Sequence, residues 1–181
     1  MNKREPGQDR NVAALSDLFM CGGFLKKKMI KDDIYFMNLA LKEARKAEVI
    51  DEVPIGAVIV KDNKVISRGY NLRETKQNPT LHAEVVAITK ASKKLKSWRL
   101  EDTTLYVTIE PCIMCLGACI NSRIKRIVYG AKDPKGGAIV SSIEALNAKN
   151  INHHPEVTSG VLENECSDII KQYFKNKRKN K

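Results

Sequence analysis

Three short pieces of the sequence carry residues able to act on one another: His82-Ala83-Glu84, Pro111-Cys112, and Cys115 three positions further on. One imidazole and two thiolates can hold a zinc ion. Three protein ligands leave its fourth tetrahedral position open, which marks a catalytic site rather than a closed structural one. The three-residue step from Cys112 to Cys115 lets both sulfurs face one ion from a single helical turn. The proline before them places that turn at a helix N-terminus, where the dipole favours the thiolate. Glu84, two residues past the histidine, can reach a water on such an ion rather than the ion itself. Zinc lowers the pKa of bound water toward about 7, and a nearby carboxylate can take that proton and return it elsewhere. No obvious fourth ligand accompanies the three: Cys119 is expected to face the core, and Cys166 to be buried in the last helix.

These residues need a scaffold, and the hydrophobic pattern supplies one. Over residues 32–48, Ile34, Met37, Leu41 and Ala44 recur at helical spacing, with Asp32 and Asp33 at the positive end. Residues 55–60 read as a buried strand, and Asp62-Asn63-Lys64 turns it into a second strand over 65–70. A polar loop ends in Pro79-Thr80, a helix-start signal, and a helix carrying Val85, Val86, Ile88 and Ala91 follows. A strand over 104–109 runs into a short helix from Pro111 to about Asn121, then a strand over 124–129 and a turn-rich loop over 132–137. A weak helix near 142–146, a short strand near 156–158 and a final helix from about Leu162 complete the chain. Strands alternating with helices after an opening hairpin indicate one α/β domain with a mixed sheet.

Composition bounds the rest. The chain has 181 residues, is 43% hydrophobic and 29% charged, and carries 32 Lys and Arg against 21 Asp and Glu, a net charge of +11. That is enough apolar content for a single core and too much for global disorder. No apolar run reaches the roughly 20 residues that span a bilayer, so a membrane-spanning protein is excluded. The excess of cations favours a polyanionic partner. Its distribution is uneven: residues 1–28 contribute +3, residues 171–181 contribute +6, and the stretch between only +2. Five cysteines, three of them within eight residues, suit metal or thiol chemistry in a reducing, cytoplasmic setting better than a disulfide framework. Residues 1–28 are expected to form a disordered extension, residues 29–175 the domain, and residues 176–181 a basic tail.

His-x-Glu followed by Pro-Cys-x-x-Cys after a strand is the established signature of zinc-dependent nucleobase deaminases. From about residue 29 to 178 the chain resembles the bacterial tRNA-specific adenosine deaminases, within the cytidine/deoxycytidylate deaminase superfamily. The resemblance includes Glu52-Val53-Pro54-Ile55-Gly56-Ala57-Val58, Gly69-Tyr70-Asn71-Leu72-Arg73-Glu74, Leu105-Tyr106-Val107-Thr108-Ile109-Glu110-Pro111-Cys112 and Asp133-Pro134-Lys135-Gly136-Gly137. It implies a cytidine-deaminase-like three-layer α/β/α sandwich with a mixed five-stranded sheet. It implies one Zn2+ per subunit held by His82, Cys112 and Cys115, with Glu84 as the catalytic proton shuttle. The implied reaction is hydrolytic attack at C6 of the wobble adenosine in a tRNA anticodon stem-loop, that of tRNA-Arg, expelling ammonia to leave inosine. Asn71 would contact the nucleoside, and Pro54, Ile55 and Ala57 would wall its pocket. Asp133, Lys135, Tyr173 and Phe174 would meet flanking RNA, with the basic tail gripping phosphates. The resemblance further implies a homodimer in which each pocket is completed by the partner subunit.

Several of these positions keep a second reading. Asn71 also suits the end of a strand, and Asp133-Pro134 is a common turn opener. Tyr173 and Phe174 are adjacent, so they lie on different helix faces and one is expected to pack in the core. Leu81, Leu116 and Ala138-Ile139-Val140 depart from the residues usual in the family, which bears on pocket shape and RNA preference but not on the zinc chemistry. A deaminase of free guanine or deoxycytidylate would share His82, Glu84, Cys112 and Cys115, and a non-catalytic zinc module binding RNA would need the ligands without Glu84.

Overall fold

A computed structural model describes residues 32–179. The expected extension over residues 1–28 and the last two residues of the basic tail lie outside the described residues. The elements run α1 (Asp33–Val49), β1 (Gly56–Lys61), β2 (Lys64–Tyr70), α2 (Ala83–Leu95), β3 (Thr103–Ile109), α3 (Ile113–Asn121), β4 (Arg126–Ala131), β5 (Glu156–Thr158) and α4 (Glu163–Lys179). A single 3-10 turn, Ala145–Asn147, stands where the weak helix was expected.

The five strands form one mixed sheet in the order β2-β1-β3-β4-β5. β1 pairs antiparallel with both β2 and β3, while β3, β4 and β5 run parallel. The β1–β2 turn places both Asp62 and Asn63 at positive φ, the conformation of a tight hairpin whose twist matches its strands. Alternation along the strands sorts the core into two layers. Ala57, Ile59, Leu105, Val107, Ile127 and Tyr129 face α2 and α3, where they meet Ala87, Ala91, Leu116 and Cys119. Val58, Val60, Tyr106 and Val128 face the other way, onto Phe36, Met37 and Ala40 of α1 and Cys166 of α4. The three-layer α/β/α sandwich is therefore present, and each fully buried aliphatic residue within it contributes about 1.5–3 kcal/mol.

Two boundaries differ from the sequence pattern. α2 begins three residues after Pro79-Thr80, because the Asn78 side chain accepts from the Thr80 amide at 2.9 Å and its hydroxyl at 2.8 Å, closing a local turn first. Ile34 is 53% exposed, since the buried stripe of α1 centres on Phe36, Met37, Ala40, Ala44 and Ala47. α1 starts where its side chains dictate. Asp32 caps it by accepting from the Tyr35 amide at 2.8 Å, and Asp33 receives both guanidinium arms of Arg126 at 2.9 and 2.7 Å and the Tyr106 hydroxyl at 2.8 Å.

Candidate active site

Two helix starts converge at the end of the sheet where β3 finishes. His82 is the N-cap residue of α2 and Cys112 that of α3, and neither side chain caps its own helix. Both are thus free to turn toward each other. α2 can approach because Gly69 of β2 has no side chain: a Cβ there would sit 2.2 Å from the Ala83 carbonyl oxygen. The Ser67 hydroxyl adds a tie by donating to the Ala87 carbonyl at 2.8 Å.

His82 Nδ1 lies 3.7 Å from Cys112 Sγ and 3.6 Å from Cys115 Sγ, and the three donor atoms fall within 4.8 Å of one another. Zinc bonds of about 2.1 Å to nitrogen and 2.3 Å to sulfur, at a tetrahedral angle, span about 3.6 Å between the two ligands. The observed triangle fits such an ion. The electrostatics agree: hydrogen bonding from the Cys115 thiol, together with His82, draws the Cys112 thiol down to about 4, so it is a thiolate at neutral pH. Cys115 is pushed up by that same hydrogen bond and by burial. His82 is raised by Cys112 beside it.

Glu84 follows in the first turn of α2, buried, with Oε2 lacking any hydrogen-bond partner among the described residues. Burial pushes its carboxyl up to about 7, with His82 pulling the other way. A buried carboxyl that gains or loses its proton near neutrality, beside a metal-ligand triangle, is equipped for general acid–base work.

The other expected residues divide. Asn71, at the end of β2, is buried, and its amide nitrogen donates to Glu52 at 3.2 Å. Its backbone N–H bonds the Ile55 carbonyl at 3.1 Å. A cleft of about 500 Å³ lies alongside, lined by Ile55, Asp133, Lys135 and Phe174 among others. His82, Glu84 and the cysteines are not among its lining residues, so the cleft does not contain the metal-ligand triangle. Pro54 is buried, and the Ala57 side chain is wholly enclosed in the core. Asp133 is a turn former, accepting from the Lys135 amide at 3.1 Å, while still reaching the cleft wall. Of the two aromatic residues, Phe174 is 44% exposed on the cleft. Tyr173 is 9% exposed and donates its hydroxyl to the Asp51 carbonyl at 2.9 Å, so it is a packing residue and not part of the open surface. α4 continues unbroken through residues 176–179, and Lys177 within it pairs with Asp51. Cys119 and Cys166 are buried, as expected.

Two buried carboxylates had not been singled out. Glu110 accepts the backbone N–H groups of Asp133, Ile139, Val140 and Ser141 at 2.8–3.2 Å, as well as the Ser141 hydroxyl. Burial alone would raise its pKa, but these donors outweigh burial and hold it below the usual carboxylate range. Glu52 plays a comparable part for the loop after β2. The signal for both was a carboxylate set against an apolar stretch, Glu110 directly before Pro111-Cys112 and Glu52 just ahead of β1.

The MafB19-like deaminase family model matches residues 30–178. The tRNA-specific adenosine deaminase of Bacillus subtilis is 50% identical over 153 residues, covering 84% of this chain and 94% of that protein. The chain belongs to the tRNA-specific adenosine deaminase family. The Haemophilus influenzae tRNA-specific adenosine deaminase is 46% identical over 82% of this chain and 87% of its own length. A structure solved in studies of A-to-I editing by tRNA:A34 deaminases at the wobble position of transfer RNA superposes with a TM-score of 0.73 at 47% identity, covering 75% of this deaminase and 98% of that chain. No helix among the described residues of this deaminase is long and apolar enough to cross a membrane.

Proposed function

We propose that this deaminase converts the wobble adenosine of a tRNA anticodon to inosine, with tRNA-Arg as substrate. The observation that carries the reading is the buried, partnerless Glu84 oxygen next to the His82–Cys112–Cys115 triangle, in a chain half identical to a tRNA-specific adenosine deaminase. His82, Cys112 and Cys115 would hold one zinc ion per subunit. When bound, zinc supplies a water acidic enough to act as nucleophile near neutral pH.

The rest falls to side chains of this chain. Glu84, poised near neutrality, takes one proton from the nucleophile and delivers it to the purine ring nitrogen, where it stays. It then takes the second from the new C6 hydroxyl and delivers it to the amino group, which leaves as ammonia. Asn71 orients the nucleoside. Ile55 and Phe174 offer apolar surface in the cleft to bases already unpaired in the anticodon loop, and Lys135 offers a cation to the backbone phosphates. The residue 29–175 domain would suffice for these steps, in the cytoplasm where tRNA resides.

A second copy of the chain is the expected partner. α3 is apolar nearly all round, yet Ile113 is 53% exposed and a Cβ added at Gly117 would meet nothing within 4 Å. Val140 and Ile143 are exposed as well. A helix so apolar with an uncovered side is suited to burial against another subunit.

The test compares the wild-type chain with Glu84→Gln on tRNA carrying adenosine at the wobble position. Inosine from the first and none from the second, with equal zinc content, supports the reading. Equal activity of the two would overturn it.

A further inference from the structure

Glu52 lies between α1 and β1, with no solvent exposure, and its carboxylate accepts from donors in the segment after β2. Asn71 Nδ2 donates to Oε2 at 3.2 Å, and the Thr75 backbone N–H donates to Oε1 at 2.6 Å. A little further on, the Leu72 amide bonds the Leu81 carbonyl at 3.0 Å, closing the loop beside His82. One buried charge thus anchors the start of the loop that delivers the histidine. Glu52 makes no ion pair among the described residues. Burying an unpaired carboxylate costs several kcal/mol, and an apolar residue could fill the space more cheaply.

What the carboxylate achieves is orientation. An asparagine amide can rotate by half a turn, exchanging donor for acceptor with little change in shape. An ionised carboxylate accepts only, so it tolerates the amide in one orientation and opposes the other. Glu52 is ionised at neutral pH: burial pushes its pKa up, but hydrogen bonds from Thr75 and Glu74 and the charge of Arg73 bring it below the usual range. With Nδ2 committed inward, Asn71 Oδ1 has no partner among the described residues. It is not sealed in either, since among the described residues the fully enclosed side-chain oxygens without partners are Glu84 Oε2 and Tyr129 OH.

We propose that Glu52 is a positioning residue for substrate: it holds the Asn71 amide nitrogen inward and so presents Oδ1 as a fixed acceptor to a hydroxyl or N–H donor of the bound nucleoside. This rests on the reading in which Asn71 contacts that nucleoside. The consequence is a polarity requirement at Asn71 that is set by a residue that never touches the substrate.

The experiment is steady-state kinetics on wobble-adenosine tRNA for the wild type, Glu52→Gln, Asn71→Asp and the double variant, at equal folded fraction and with zinc content measured. Glu52→Gln no longer forbids the reversed amide, and kcat/KM falls about tenfold with zinc retained. Asn71→Asp sets two carboxylates against each other, and kcat/KM falls about a hundredfold. In the double variant the introduced glutamine can donate to the introduced aspartate, whose second oxygen restores the outward acceptor. Its kcat/KM should recover about tenfold over Asn71→Asp alone. A Glu52→Gln variant at the wild-type kcat/KM, or a double variant no better than Asn71→Asp, overturns the inference. Should Glu52→Gln alone not fold, the comparison of Asn71→Asp with the double variant still decides. Wild-type activity without rescue removes this inference alone, whereas a wild type that forms no inosine removes the functional reading with it.

Discussion

Gly137 and the Glu110 carboxyl are in such close approach that a Cβ on the glycine would lie 2.4 Å from the carboxyl carbon. The same glycine bridges to Cys112 across an isolated antiparallel pair, and the Ala138 amide bonds the Pro111 carbonyl at 2.9 Å. The cleft-lining loop and the thiolate-bearing turn are therefore one packed unit, joined through Glu110.

Gly137→Ala forces that unit apart. The expected cost is about 1–3 kcal/mol, the range for overpacking a filled site. Thermal unfolding should show a lower Tm, and zinc content should fall as Cys112 moves. A variant with unchanged Tm and full zinc would show that the contact can relax.

Asp33 offers a prediction in pH. Hydrogen bonding from Arg126 holds its carboxyl below the ordinary value, outweighing the opposing effect of burial. A depressed pKa in the folded state adds stability above the unfolded value of about 3.9, and that stability is lost as pH falls through the folded value. About a third of each side chain is solvated, so the ion pair is worth about 1 kcal/mol. Asp33→Asn should lower Tm by about 2–4 °C at pH 7, and the deficit should shrink as pH falls below the unfolded value and through the folded one. An equal deficit throughout that range would mean that charge is not the cause.

The motif chemistry was legible because ligand spacing is local: Cys112 and Cys115 share one turn, and Glu84 shares a helix start with His82. The strands were legible for a similar reason, since the unbroken apolar run over residues 55–60 and the β-branched and aromatic residues over 104–109 report two covered faces. Glu52 and Glu110 were not. Their partners lie 19 to 31 residues away, and a carboxylate satisfied by backbone amides leaves no periodic trace. Pro79-Thr80 signalled the approach of α2 but not its first residue: the Asn78 side chain claims the Thr80 donors, and the helix starts at Ala83 with His82 as N-cap. Tyr173 and Phe174 could be separated only once the packing of α4 against the turn at Asp51 was known.

Lys135 is exposed on the cleft and pairs with no acid among the described residues, whereas Lys177 is engaged with Asp51. RNA affinity should fall steeply with salt through counterion release, and Lys135→Ala should reduce the slope of log K against log salt by about 1. Lys177→Ala should change the slope less, and a larger change there than at Lys135 would relocate the phosphate contacts to α4.

On α3, Ile113→Glu places a charge on the uncovered apolar side. Sedimentation at micromolar concentration should show a dimer for the wild type and a monomer for the variant, with inosine formation reduced if the partner completes the pocket. A wild-type monomer with full activity would contradict the homodimer.

The most direct measurement presents the purified chain, in parallel, with wobble-adenosine tRNA, free adenosine, guanine and cytidine, following inosine by sequencing and ammonia by release. Inosine confined to the wobble position, with little ammonia from the free compounds, is the expected result. Turnover of guanine or cytidine with the tRNA left unchanged would contradict it.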